Sequence, residues 1–268
     1  MDYEKRFKEL LFESVRKSID DEVAVAFSGG IDSLLLAYIM KDLCKVKLYV
    51  TGLKGSHDID AAKSAAEKIG LPLEIIEITE DDVEEAMKDI VNILEDLEIS
   101  EETSIPPRDP KSIITISFNL PFYFVAKNCK EKIIVSGQGP DTYLGGYIKH
   151  LQLDEDELKK ELESNTYDLI HAGSKQHGKI AERFGKKVVL PYIDKTLLEF
   201  ALKIPLEWKI RDGKRKYILV QVAKMFGLSD DLAERTKKSA QYGSGIMKAL
   251  KKIAKKKGIS VSDLPNQV

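Results

Sequence analysis

Ser28-Gly29-Gly30-Ile31-Asp32-Ser33 separates an apolar run of strand length, Val23 to Phe27, from an apolar-rich run of helical length, Ser33 to Leu43. A strand, a sharp glycine turn and a helix start together make an anion site. Gly29 and Gly30 can take backbone angles closed to other residues and let the main chain approach a phosphate, while free amides at the helix start point at it. Ser28 and Ser33 add hydroxyl donors. Asp32 adds a carboxylate that phosphate alone would repel, so the pattern implies a metal ion. No Gly-Lys-Ser/Thr follows, which separates this turn from the lysine-bearing phosphate loop. A glycine pair after a strand often only turns the chain; two serines and an aspartate on the same turn make the phosphate reading far more specific.

The 268 residues, 43% hydrophobic and 32% charged, describe a folded chain able to bury a substantial core. No apolar run approaches the roughly 18 residues of a membrane span, and the charged start (Asp2, Glu4, Lys5, Arg6) is no secretory signal, so a cytoplasmic protein with no membrane partner is expected. A net charge of -2 gives no global pull toward nucleic acid. Cys44 and Cys129 are too few and too far apart for a disulfide scaffold, a redox pair or a zinc site. His57, His150, His171 and His177 show no ligand spacing and read as structural or surface residues.

Along the chain, apolar positions Tyr3, Phe7, Leu10, Leu11 and Val15 predict a helix over 3–19 ahead of the first strand. Val46 to Val50 reads as a second strand, Gly52 to Asp58 as a turn, and Ile59 to Ile69 as a helix closed by Gly70. Leu73 to Ile78 is a third strand, and Thr79 caps an acidic helix through about Leu97. Residues 99–111, with Pro106, Pro107 and Pro110, form either a lid or a connector. Ser112 to Lys127 is a helix, and Ile133 to Ser136 is a fourth strand ending in Gly137-Gln138-Gly139-Pro140-Asp141, a second glycine turn at the same edge of the sheet. From Asp154 on the pattern is mostly helical, interrupted by Lys187 to Leu190, with a Lys- and Arg-rich stretch at Ile210 to Ile218. Strands alternating with helices imply a parallel sheet that binds ligands beyond its carboxyl edge.

Several stretches in one order carry a family resemblance. Ser28 to Ser33, Gly52 to Asp58, Ser136 to Tyr147, Leu190-Pro191-Tyr192-Ile193-Asp194 with Gly213-Lys214-Arg215-Lys216, and Arg235 to Lys238 with Gln241 to Gly245 resemble the synthetase domain of asparagine synthetases and their β-lactam synthetase relatives. The resemblance implies an α/β fold, a doubly wound parallel sheet of the adenine nucleotide alpha hydrolase-like, PP-loop ATP pyrophosphatase type, with a mostly helical C-terminal half. The expected organisation is a single domain over 1–268, with about 15–150 as the nucleotide-binding core and about 151–268 as the helical half. It also implies an ATP- and Mg2+-dependent ligase that adenylates a small carboxylate, releases pyrophosphate and passes the acyl group to ammonia or another nucleophile. By this resemblance Asp32 and Asp141 are metal ligands, and Lys216 neutralises phosphate charge and the acyl intermediate. Ser28, Gly29, Gly30, Asp32, Ser33 and Lys216 hold the phosphates. Val50, Gly52, Leu53 and Gly137 contact adenine and ribose.

The resemblance also exposes departures. Relatives with a fused glutaminase place a catalytic cysteine after the initiator methionine, where Asp2 stands here, so ammonia is expected from solution or a separate subunit. Gln138 and Thr142 replace the family's glutamates; the first of these serves proton removal, which an amide cannot do. Val220 replaces a frequent arginine. Two further readings stand beside the ligase: a tRNA-modifying enzyme, for which the lysines at 248, 251, 252 and 255–257 could touch phosphate backbone, and a catalytically altered nucleotide-binding subunit. A homo-oligomer stays open.

Overall fold

β1 (Glu22–Ala26) buries Val23, Ala24 and Val25 in succession, as a strand covered on both faces must. It is the centre of a five-stranded parallel sheet in the computed structural model, which describes residues 2–95, 97, 109, 112–235 and 240–267. The strand order is β3-β2-β1-β4-β5, with β2 at Lys45–Leu53, β3 at Leu73–Ile78, β4 at Ile133–Ser136 and β5 at Lys187–Val189. From β1 the chain winds outward to β2 and β3, then returns to the other side of β1 for β4 and β5. The reversal between β1 and β4 is the switch point where a parallel sheet opens a crevice beyond its carboxyl edge.

Helices cover both faces, so the sheet is doubly wound. On one face lie α1 (Tyr3–Ser18), α2 (Ile31–Met40) and α3 (His57–Ile69), joined from the second half of the chain by α8 (Lys195–Lys203) and α9 (Tyr217–Met225). On the other lie α4 (Glu80–Glu95), α5 (Ile113–Asn128), α7 (Ser174–Arg183) and α10 (Ile246–Lys257). α6 (Glu155–Asp168) follows the second glycine turn. The caps are those the side chains dictate. Asp2 accepts from the Lys5 amide at 3.0 Å, and Thr79 Oγ1 accepts from the Asp82 amide at 3.2 Å while the Asp82 carboxylate accepts from the Thr79 amide at 2.8 Å.

Two expectations need correction. β2 does not stop at Val50: Thr51, Gly52 and Leu53 pair with Ile76, Glu77 and Ile78, so the turn begins after Leu53. The alternation of side chains fades there because Gly52 has none, yet the ladder to β3 continues. The basic stretch folds partly as a two-strand ribbon, β6 (Ile210–Arg211) against β7 (Lys214–Arg215), turned by Asp212 at φ 50° and Gly213 at φ 71°. The expected lid or connector at 99–111 lies outside the described residues, apart from Asp109, as do Thr236, Lys237 and Lys238.

Candidate active site at the carboxyl edge of the sheet

Both glycine turns leave neighbouring strands at the switch point, and they touch. A Cβ placed on Gly137 would stand 2.8 Å from the Ser33 amide nitrogen and 3.0 Å from the Asp32 carbonyl carbon, so only glycine lets β4 close on the start of α2. Gly29 has φ 70°, and a Cβ there would meet the Ala61 backbone at 2.7 Å, which seats the first turn against α3. Gly30 is extended (φ -85°), so the left-handed requirement falls on Gly29 alone. Inside the turn Ser33 Oγ accepts from the Ser28 amide at 3.3 Å and donates to the Gly30 carbonyl at 3.3 Å.

The Pro191-Tyr192-Ile193 segment props this junction. The fully buried Tyr192 donates its hydroxyl to the Asp32 carbonyl at 3.1 Å, and its own carbonyl accepts from Tyr143 at 2.9 Å. Pro191 O accepts from Ser14 of α1 at 2.7 Å, and Asp194 caps α8.

Lys216, at φ 54° between β7 and α9, reaches back over the turns. Its Nζ lies 2.9 Å from both carboxylate oxygens of Asp32 and 2.9 Å from Asp141 Oδ1. The side chain is 12% exposed. Burial alone would lower its pKa, but the opposing charges of Asp141 and Asp32 outweigh that and hold it above the ordinary lysine value. Arg215 anchors the ribbon by donating to the Gly146 carbonyl at 2.5 Å.

A divalent cation was expected on Asp32 and Asp141. Among the described residues no cluster of three His, Cys, Asp or Glu is arranged to hold a metal by itself. Two convergent carboxylates suit magnesium that arrives with phosphate oxygens, because that ion keeps few protein ligands when a nucleotide supplies the rest. The one ammonium that already bridges both carboxylates shows that they converge on a common cation position.

Ser28, Asp32, Ser33, Val50, Gly137 and Asp141 line one cavity of about 260 Å³. Lys216 lines an adjoining groove that shares Asp141. Gly29, Gly30, Gly52 and Leu53 are not part of the cavity lining. The Leu53 amide donates to Ser244 O at 2.9 Å, and a Cβ on Gly52 would lie 3.1 Å from the same carbonyl, so the segment around Ser244 covers the end of β2. The cavity also recruits side chains that local patterns left unmarked, Phe118, Phe122, Asp168 and Gln176 from the α5 and α6–α7 layer, together with His177, read as structural or surface, and Gln241 of the resembling closing segment. The i,i+4 spacing of Phe118 and Phe122 was visible, but α5 is apolar nearly all round, which hides its functional face.

The other candidates fall elsewhere. Cys44 and Cys129 precede β2 and β4, at the edge opposite the glycine turns, so neither serves sulfur chemistry there. Lys252 and Lys256 pair with Glu80, and Lys257 with Glu84, so this part of the basic tail packs as a helix face against the acidic start of α4. His150 accepts from the Tyr147 amide at 3.3 Å, His57 is exposed, and His171 stacks on Tyr167. His177, read as structural or surface, is buried and lines the cavity.

The family model for asparagine synthase matches residues 6–190 and 154–260. This chain belongs to the asparagine synthase family. Among curated relatives, the "Putative asparagine synthetase (glutamine-hydrolyzing) 1" of Methanocaldococcus jannaschii is 29% identical over 279 residues, covering 90% of this chain and 49% of that protein. Asparagine synthetase B (glutamine-hydrolyzing) of Escherichia coli K12 is 25% identical over 266 residues, covering 89% and 44%. The chain thus spans about half the length of these curated relatives. The solved NMN synthetase of Francisella tularensis aligns over 99% of this chain and 84% of its own at 10% identity and a TM-score of 0.42. Among the described residues of this asparagine synthase family member, no helix is long and apolar enough to cross a membrane.

Proposed function

We propose that this chain activates a carboxylic acid with ATP and passes the acyl group to a nitrogen nucleophile, releasing pyrophosphate and AMP. One observation carries this: Asp32 of the first glycine turn and Asp141 of the second converge on Lys216 at 2.9 Å. A substrate carboxylate oxygen attacks the α-phosphorus, the acyl–oxygen–phosphorus link forms, and the bond to the β-phosphate oxygen breaks. The charge that develops on the departing pyrophosphate meets the amides and hydroxyls of the 28–33 turn, which are fixed before reaction. Lys216, cationic throughout the physiological range, exchanges its carboxylate partners for phosphate oxygens when the nucleotide enters. Asp32 and Asp141 are the ligands that would hold Mg2+, which supplies electrostatic neutralisation of the phosphate oxygens.

The nitrogen nucleophile, ammonia or an amine from solution or a separate subunit, then attacks the acyl carbon. A C–N bond forms, AMP leaves, and one proton departs the nitrogen. Gln138 cannot accept that proton. Asp168 lines the same cavity and is the carboxylate we assign to that task in place of the missing glutamate.

ATP/pyrophosphate exchange, screened against amino acids and small carboxylic acids in the presence of Mg2+, tests the proposal. Exchange with at least one acid is expected. Nucleotide binding with no exchange for any acid would leave only a nucleotide-binding subunit.

A further inference from the structure

The ribbon that delivers Lys216 sits directly on the second glycine turn. Ile210 packs on Gly145, where a Cβ would stand 2.7 Å from its side chain, and the Arg215 guanidinium donates to the Gly146 carbonyl at 2.5 Å. Gly146 in turn closes on Asp141. Its amide donates to the Asp141 carbonyl at 3.0 Å, and a Cβ there would fall 2.1 Å from Asp141 Oδ1. Arg215 and Lys216, adjacent in sequence, therefore hold one turn at two points: the main chain at Gly146 and the carboxylate of Asp141. A hydrogen bond from a cationic donor is shorter and stronger than a neutral one, which suits Arg215 to this task.

The backbone between these grips is strained. Among the described residues, Asp212 and Lys216 are the non-glycines at positive φ, and both belong to this ribbon. Such a conformation costs energy and persists only where the surroundings over-determine it. Lys216 is fixed on both sides. The bond from Arg215 holds the residue before it, and the Arg211 guanidinium lies over the rings of Tyr217, the residue after it, and of Trp208, at 4.5 and 4.6 Å.

The two grips differ in what the reaction does to them. By the function proposed above, Lys216 trades Asp32 and Asp141 for phosphate oxygens when the nucleotide enters. Its ion pairs can then no longer tie the ribbon to the glycine turns. The bond from Arg215 ends on a main-chain carbonyl that neither phosphate nor magnesium draws away, so it outlasts that exchange.

We propose that Arg215 is a positioning residue for the reaction: through the Gly146 carbonyl it keeps Lys216 in register with Asp141 after the ammonium has moved to the phosphates. This rests on the ATP-dependent function proposed above. Arg215 acts on the chemistry through Lys216, and its contribution ends where that ammonium is absent.

A double-variant cycle of Arg215→Ala and Lys216→Met tests this in the full chain. Two measurements separate the positioning from the chemistry: calorimetric affinity for the non-cleavable α,β-methylene-ATP with Mg2+, and ATP/pyrophosphate exchange with aspartate and the other acids of the screen. Arg215→Ala is expected to weaken analogue binding about fivefold and to slow exchange by at least about tenfold. On the Lys216→Met background the same substitution should change affinity by less than about twofold, because no ammonium is left to place. Arg215→Lys, which keeps a cationic donor, should recover part of the loss. An unchanged affinity in Arg215→Ala, or an equal loss on both backgrounds, would make Arg215 a plain fold contact and overturn the proposal. Should Arg215→Ala fail to fold, the same cycle with Arg215→Lys decides in its place. A non-additive cycle in affinity, with exchange for no acid, would sustain the role of Arg215 and overturn the carboxylate chemistry.

Discussion

The ammonium of Lys216 stands 2.9 Å from both carboxylate oxygens of Asp32, although 184 residues separate them in sequence. This contact joins the ribbon before α9 to the first turn of α2 and ties both to Asp141. It makes the candidate site a product of three distant segments.

Removing the ammonium leaves Asp32, with a side chain only 8% exposed, beside a second carboxylate. Lys216→Met is expected to destabilise by about 2 kcal/mol, below the cost of breaking a wholly buried pair because Asp141 is 40% exposed. Urea unfolding of Lys216→Met, Asp32→Asn and the double variant checks this: the double should lose at least about 1 kcal/mol less than the sum of the singles. Strict additivity would mean that the pair contributes nothing. Pyrophosphate exchange should fall by about 10²- to 10³-fold in Lys216→Met.

Gly137→Ala inserts a methyl group into the 2.8 Å contact with the Ser33 amide. The two turns must separate, at an expected cost of about 1–3 kcal/mol. ATP binding, measured by calorimetry, should weaken at least tenfold, roughly 1.4 kcal/mol. Unchanged nucleotide affinity would detach the Gly137 contact from the nucleotide site.

Tyr192→Phe removes the donor to the Asp32 carbonyl while keeping the ring and the Cβ that Gly139 packs against. A loss of about 1 kcal/mol is expected, because the carbonyl is left without that partner. The more informative measurement is turnover, which should drop while ATP affinity holds, since Tyr192 positions the Asp32 segment and is not part of the cavity lining. Equal loss in both would make it a simple fold contact.

His177 makes stability sensitive to acid. Its folded pKa of about 3 lies below the unfolded value near 6.5. Between these values the unfolded chain binds a proton that the folded chain excludes, so stability rises with pH across the window and is lost on acidification. The slope from this single group is about 1.4 kcal/mol per pH unit at its steepest. Urea unfolding at pH 7, 6, 5 and 4 should show a shallower decline for His177→Gln than for the parent chain. Parallel declines would mean that the imidazole is protonated in the folded state.

Local chemistry made the sheet and the first turn legible. The run Val23-Ala24-Val25 demands burial on both faces, and Gly29 at φ 70° is the residue that the turn onto Ala61 requires. The end of β2 was not legible, because Gly52 carries no side chain to continue the alternation and its pairing partners lie in β3. His177 was unreadable for another reason. A lone histidine in a polar helix acquires meaning only when Phe122, 55 positions earlier, stacks on it from α5.

The sequence by itself determined the parallel α/β architecture, the two glycine turns, and the acidic and basic residue types that a phosphate site needs, because strand burial, turn angles and side-chain charge are properties of neighbouring residues. Only the tertiary structure decided that Asp32, Asp141 and Lys216 share one point, that Tyr192 props it, and that Phe122 and His177 stack on each other in the lining of the adjoining cavity. Those arrangements depend on how far helices and strands advance before they meet. A few ångströms decide whether charges form a site, and such distances are set by the packing of the whole core.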